Sequence, residues 1–282
     1  MTLIDPHTHS AYSDGTDTPS QLMEKAGAAG ISVLGLTDHD VTVGWDEASK
    51  MVSKTGVSLL RGMEMSCSWK GITVHLLSYL HNPDDPALLE SSRKVLQSRE
   101  NRAQIMVERI SADYPITWED VLEVANADAK VIGRPHIADA LIRAGSFKTR
   151  AEAFEFVLHP RGPYYHFLWS EDPVEAVQKV RNAGGVPIIA HPRARKRQKL
   201  LPDGALFDMI DAGLAGIEVN HRDNAPEDQE YLRQIAREAG LLITGSSDYH
   251  GLGKPNQLAE YTTAPEVLEE IEWQGTLPII TP

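Results

Sequence analysis

The chain has 282 residues, 41% of them apolar, with 27 basic and 40 acidic side chains and a net charge of −13. That length and apolar share support a large buried core and exclude a disordered chain, while the acidic excess excludes broad duplex binding, because DNA would be repelled. One cysteine, Cys67, excludes an internal disulfide, and no leader-like or membrane-length apolar run is seen, so a cytoplasmic protein with no membrane association is expected.

Short β-type runs alternate with helical patterns. Leu3-Ile4 opens a strand that delivers His7-Thr8-His9. Thr18-Pro19-Ser20 then starts a helix and Gly30 stops it. Residues 31–36 form a strand delivering Thr37-Asp38-His39-Asp40. Residues 57–60 deliver Arg61-Gly62-Met63-Glu64, and 72–79 form a strand containing His75. Residues 84–168 read differently. Positions 93–109 have helical spacing, and Thr117-Trp118-Glu119-Asp120 resembles a capping box for a helix running to about Ala127. Further helices start at Arg134, ending near Gly145, and at Thr149, ending near Leu158. The rhythm then resumes: a helix over 173–182, a strand over 186–190 delivering His191, a strand over 216–219 delivering Asn220-His221, and a strand over 241–244 delivering Ser247-Asp248-Tyr249-His250. Such repetition predicts an α/β fold whose parallel strands end on one face, built from 1–83 and 169–282, with a helical insertion, 84–168, over its mouth.

At a strand end, positions i and i+2 project to one side, so His7 and His9 can face one ion together. The pattern recurs as Asp248-x-His250. His7, His9, Asp14, His39, Glu64, His75, His191, Asp248 and His250 all fall in, at or just beyond predicted strands, where unpaired charges would be costly. Imidazole and carboxylate without thiolate suit Zn, Mn or Fe. Nine donors exceed one four-coordinate site, so two or three divalent ions sharing a carboxylate are expected.

His7-x-His9, Asp14-Gly15, Thr37-Asp38-His39-Asp40, Gly62-x-Glu64, His75, Ala190-His191-Pro192 and Ser247-Asp248-x-His250, in that order, resemble the PHP (polymerase and histidinol phosphatase) family within the amidohydrolase group. The resemblance implies a distorted (β/α)7 barrel with a trinuclear centre, manganese being the favoured ion. It implies that His7, His9, Glu64 and Asp248 hold one ion. Glu64 would bridge to a second ion completed by His75 and His191, and Asp14, His39 and His250 would hold the third. Gly133-Arg134-Pro135-His136, Phe147-Lys148-Thr149 with Glu152-Ala153-Phe154, and Arg161-Gly162-Pro163-x-Tyr165 resemble one subgroup of small phosphoesterases with a helical insertion. That subgroup contains nucleoside 3',5'-bisphosphate phosphatases, RNA 5'-end-trimming enzymes and cyclic phosphodiesterases.

Clustered cations acidify a bound water and offset charge on phosphate oxygens, so attack by metal-bound hydroxide without a phosphoenzyme is expected. Arg134 and His136 at a helix start, Arg193 after His191, and His221 after a strand are the expected substrate contacts. His221 is also the expected proton donor to the leaving group, and Asp38, with Asp5, is expected to orient a metal-bound histidine. The bland alternatives are a surface ion pair for Arg134, a solvated run at 193–199, and a structural histidine at 221. His81, His159, His166, Cys67 and the tryptophans at 45, 69, 118 and 169 are assigned to packing or surface roles. The expected activity is hydrolysis of small nucleotide phosphates, foremost the 3'-phosphate of nucleoside 3',5'-bisphosphates, with short RNA a further substrate. Cyclic nucleotide or sugar phosphates come next, and histidinol phosphate after them. A C–N amidohydrolase would leave Arg134 and Arg193 without work, and a polymerase-associated module would need polymerase sequence to follow.

Overall fold

The computed structural model describes residues 2–125 and 131–282. In chain order the barrel half begins with β1 (Ile4–Thr8), α1 (Pro19–Ala28), β2 (Val33–Leu36), α2 (Trp45–Ser49), α3 (Val52–Thr55), β3 (Ser58–Trp69) and β4 (Ile72–Tyr79). Four helices follow: α4 (Pro86–Ile110), α5 (Trp118–Val124), α6 (Arg134–Arg143) and α7 (Arg150–Phe156). The barrel resumes with α8 (Pro173–Asn182), β5 (Val186–Ala190), α9 (Asp203–Asp211), β6 (Gly216–Asn220), α10 (Pro226–Ala239), β7 (Leu242–Gly245) and α11 (Pro265–Gln274). The expected end of the fifth helix at Ala127 lies outside the described residues.

The strands form one sheet in sequence order, β1 to β7. It curls into a nearly closed barrel, the distorted α/β barrel expected. A parallel bridge between Thr8 and Tyr249, with His9 N donating to Tyr249 O at 2.9 Å, brings the segment after β7 against β1. Strands β1–β3 and β5–β7 pair in parallel, but β4 runs antiparallel to both neighbours. This corrects the expectation of parallel strands throughout. Lys70 and Gly71, at φ 47° and 80°, turn β3 directly back into β4, as a two-residue hairpin with positive φ at both positions requires. The third strand also runs to Trp69 rather than stopping near residue 60, so Glu64 lies mid-strand.

Apolar side chains of the strands and outer helices fill the core: Leu76, Ile189, Ile217 and Val219 with Val177 and Leu232 on one side, and Leu34, Leu36 and Leu59 with Leu22 and Met23 on another. The four inserted helices have a separate cluster in which Met106, Ile110, Val121, Ile137, Leu141 and Val157 meet. Helix α4 serves both bodies. Asp85 caps it through the amides of Ala87 and Leu88, Leu88 packs on the barrel, and residues from Ala103 onward enter the insertion core. The insertion lies over the C-terminal face. Arg99 of α4 pairs with Asp40 at 2.9 Å, and Arg150 Nη1 donates to Asp14 O at 3.3 Å. No helix among the described residues is long and apolar enough to cross a membrane.

Candidate metal centre

Strand geometry delivers the donors. His7 leaves β1 inside the barrel and His9 follows two residues later on the same side, their Nε2 atoms 3.0 Å apart. Asp14 comes from a turn that folds back on this strand. A Cβ on Gly15 would lie 2.4 Å from His9 O, so only glycine allows that approach. Glu64 projects from the middle of β3 and His75 from the middle of β4. His191 and Asp248 sit just past β5 and β7 at positive φ, 29° and 51°, as does Asp40 at 58° beside His39. Backbone twists of this kind in non-glycine residues cluster where side-chain placement overrides local preference.

All nine expected donors converge. Glu64 is the hub: Oε1 lies 2.8 Å from His75 Nδ1 and 3.2 Å from His191 Nε2, while Oε2 lies 3.0 Å from His9 Nε2, 3.3 Å from His39 Nδ1 and 3.4 Å from His7 Nε2. Asp248 Oδ1 is 3.6 Å from His7 Nε2 and 3.5 Å from His9 Nε2. Asp14 Oδ1 is 3.1 Å from His250 Nε2. Three sets have donor atoms all within 4.8 Å of one another: His7, His9, Glu64 and Asp248; His9, Asp14, His39 and His250; and His39, Glu64 and His75. In these sets His9 and His39 each serve twice, and His191 reaches the centre through Glu64.

Electrostatics fit cations. Burial alone would raise the Glu64 carboxyl, but His75, His39 and His7 outweigh it and hold it well below the usual range. Burial likewise opposes ionisation of Asp248 and Asp14, yet Lys254, His250 and Arg197 around the first, and His250 and His39 around the second, keep both ionised. Burial pulls His191 and His250 down to about 4, leaving them neutral with lone pairs available. At His9 burial also lowers the pKa, but Asp248 and Glu64 raise it to about 9, so protons and cations compete there. Asp14 Oδ1, His39 Nδ1, His75 Nδ1 and His250 Nε2 are buried without hydrogen-bond partners. Each such group costs about 1–3 kcal/mol unless something binds it, and a divalent ion among imidazoles and carboxylates would satisfy several together. The donor set therefore fits divalent metals.

A supporting layer fixes the donors. His7 Nδ1 donates to Glu218 Oε1 at 2.9 Å, which leaves Nε2 open toward the centre. Glu218 Oε2 also accepts from His191 N at 2.9 Å, and Oε1 from Ser246 Oγ. Burial would raise its carboxyl, but His7 outweighs this and lowers it to about 2. Sequence reading passed over Glu218; its signal was an acid between Ile217 and Val219 inside a strand. His250 Nδ1 donates to Asp248 O at 2.8 Å, again leaving Nε2 open.

Asp38 does not touch a histidine, which corrects that expectation. It accepts from Ser10 N, Ser10 Oγ and Ser13 Oγ, and it is Ser13 Oγ that lies 3.4 Å from His9 Nδ1. Asp5 likewise binds the amides of Ser247 and Ala259, bracing the loop that carries Asp248.

Arg193 is not at the centre. It pairs with Asp203 at 2.7 Å and lies over the Tyr231 ring, so its reading as the nearest basic residue is corrected. Arg197, four residues on in a loop of turns, takes that place, 2.9 Å from Asp248 Oδ2 and 2.5 Å from Asp223 Oδ2. His221 is fully buried. Its Nδ1 accepts from Asp223 N at 3.1 Å, so Nε2 carries the proton and lies 3.7 Å from Asp248 Oδ2. His136 packs at the start of α6, accepting from Gly133 N at 3.2 Å, and lines a cavity of about 170 Å³ with Gly15, Thr16, Asp139 and Arg150. Arg134 lies at the first position of α6, over the rings of Phe154 and Tyr165.

The PHP domain description matches residues 5–149. A 3',5'-nucleoside bisphosphate phosphatase of Chromobacterium violaceum is 32% identical over 262 residues, covering 90% of this chain and 89% of its own. A 5'-3' exoribonuclease of Haemophilus influenzae is 29% identical, covering 87% and 89%. A phosphoribosyl 1,2-cyclic phosphate 1,2-diphosphodiesterase of Eggerthella lenta is 30% identical, covering 88% and 94%. Among solved structures, a Bifidobacterium adolescentis protein classed as a metal-dependent phosphoesterase superposes with a TM-score of 0.95 at 40% identity, covering 98% of this chain and 97% of its own. With the donor order, the barrel and relatives matched along nearly their whole length all in agreement, the chain belongs to the PHP family.

Proposed function

We propose that the protein is a metal-dependent phosphoesterase of the cytoplasm that hydrolyses small nucleotide phosphate esters, foremost the 3'-phosphate of nucleoside 3',5'-bisphosphates. The observation that carries this reading is the set of three overlapping donor groups around Glu64, bordered by Arg197 and by the insertion residue His136. His7, His9, Asp14, His39, Glu64, His75, His191, Asp248 and His250 would hold two or three divalent ions, manganese favoured. Bound there, such ions would acidify a water and offset charge on the non-bridging phosphate oxygens. Glu218 keeps His7 in the tautomer that presents Nε2 inward, and Ser13, held by Asp38, positions His9. His221 directs its Nε2–H toward the centre, where it would donate a hydrogen bond to the phosphate or the leaving oxygen. Residues 84–168 act as the substrate-recognition lid, closing over the metal face through Arg150 and Arg99 and excluding long polymers.

Release of inorganic phosphate from a panel of nucleotide esters, with and without chelator, tests this. Chelator-sensitive release that is fastest for the 3',5'-bisphosphates supports it. Chelator-insensitive turnover, or none on any ester, overturns it. The C. violaceum phosphatase supports the monoester over the cyclic diester, which the E. lenta relative keeps as the second reading. His221→Asn should slow turnover without loss of metal.

A further inference from the structure

We propose that Thr16, Asp17 and Tyr249 form a clasp across the junction of β1 with the segment after β7. The clasp positions His250 against Asp14 and thereby sets the affinity for one ion, that of the His9, Asp14, His39 and His250 set. The inference rests on the metal-centre reading and adds positioning residues to it.

Glu64 and His75 are carried by β3 and β4, whose ladder runs from Gly62 opposite Tyr79 to Trp69 opposite Ile72. Asp14 and His250 have no comparable ladder between them. Among the described residues, β1 and the segment after β7 meet at one bridge, Thr8 with Tyr249. Asp14 lies on one side of that junction and His250 on the other, yet Asp14 Oδ1 is 3.1 Å from His250 Nε2. Metal ligation tolerates errors of only about 0.2 Å, so the two segments need another means of alignment.

The turn after Asp14 supplies it. Thr16 N donates to His250 O at 3.1 Å, and Thr16 Oγ1 accepts from Leu252 N at 2.8 Å. The Tyr249 hydroxyl, between Asp248 and His250 in sequence, donates to Asp17 Oδ2 at 3.0 Å. Asp17 is buried, and Lys25 Nζ of α1 donates to both of its carboxylate oxygens, at 2.7 and 2.8 Å. A buried ion pair adds little net stability, so what Asp17 and Lys25 supply is geometry. Gly251, at φ 64°, completes the fit, because a Cβ there would overlap Thr16 Oγ1. Asp248 is braced separately: Asp5 accepts from Ser247 N and Ala259 N, and Asn256 Nδ2 donates to Ser247 O at 2.7 Å. Loss of the clasp therefore reaches His250 and spares Asp248, weakening one ion and not those bound through Glu64.

The test titrates metal-free protein with Mn, free Mn being read by electron paramagnetic resonance. Tyr249→Phe should weaken one class of site about 10- to 100-fold and leave the others within about twofold. Asp14→Asn identifies the class: it should weaken the same one, and adding Tyr249→Phe to Asp14→Asn should change nothing further. That pattern supports the clasp. Equal weakening of every class, a Tyr249→Phe effect that persists beside Asp14→Asn, or no effect overturns it. Asp17→Asn gives the same comparison if Tyr249→Phe unfolds early. If the unaltered protein takes up no Mn, the metal-centre reading fails by itself, and the imidazole nitrogen resonances of His250 in metal-free protein decide the inference. Resonances displaced by Tyr249→Phe uphold the positioning of His250, and unmoved resonances remove it.

Discussion

The barrel rim and the inserted helices gather opposite charges by different means. At the rim, imidazoles and carboxylates come from strands far apart in sequence, and each is fixed by a backbone that the barrel cannot easily move. Glu64 and His75 meet diagonally across a hairpin, Glu64 pairing with Leu77 and His75 with Ser66, while His191 and Asp248 sit on left-handed backbone. In the insertion, Arg99 and Arg102 lie three residues apart on α4, with Arg99 paired to Asp40, and Arg134 opens α6 over the rings of Phe154 and Tyr165. The first arrangement suits cations. The lesson is that chemistry needing tenths of an ångström is carried by the sheet, while the inserted helices build a separate core beside it.

The comparison can be broken first at the rim. Glu64→Gln should reduce turnover by roughly 10²–10³-fold or more and lower the metal content found by elemental analysis, because two of the three sets lose their shared carboxylate charge. Full metal content would show that Glu64 is not shared. Glu218→Gln tests the layer behind. It keeps the size but weakens the bond that fixes His7, and should cost about 10–100-fold in metal affinity or activity, read by titration with Mn and by phosphate release.

A smaller effect is expected where the two regions join. Arg150 pairs with Asp139 at 2.7 and 2.6 Å and also donates to Asp14 O. Arg150→Ala should destabilise the fold by about 2 kcal/mol in urea unfolding and raise hydrogen exchange in α6 and α7 more than in the strands. Uniform loosening of both would mean the insertion is not separately held.

The smallest effect on turnover belongs to a residue remote from the metal centre. His81 packs against Trp45 and bonds Ser78, and burial lowers it from 6.5 to about 4. A native pKa below the unfolded one means that the unfolded chain binds the extra proton. Its contribution is thus fully present above pH 6.5 and is lost as pH falls toward 4. His81→Gln should flatten the stability profile over that window while leaving phosphate release at neutral pH unchanged; an unaltered profile would assign the acid sensitivity elsewhere.

Much of the rim could be read from the sequence because spacing survives folding. His7-x-His9 and Asp248-x-His250 project together wherever a strand carries them, and the order of motifs identified the barrel. Glu218 was missed because one acid among apolar strand residues does not announce which face it takes. Arginines at helical spacing usually mark a solvated face, so the sequence does not reveal that Arg99 and Arg102 are buried, with Arg99 against Asp40 of the barrel. The choice between Arg193 and Arg197 turned on one tight loop, where Arg197 N bonds Ala194 O, and a run of five basic residues does not reveal that turn. Strand direction is likewise silent in an alternating pattern; the Lys70-Gly71 pair was the one local sign that β4 reverses.

The seam where β1 meets the segment after β7 has a consequence for biosynthesis. Asp5 and Ser247, bonded across it, are 242 residues apart, and the first and last strands each bring two donors to the same cavity. A growing polypeptide thus brings its donors together only after the segment through His250 has been made. Chains that stop short of Asp248 lack part of the donor set, and assembly of the pocket coincides with a long-range closure of the fold.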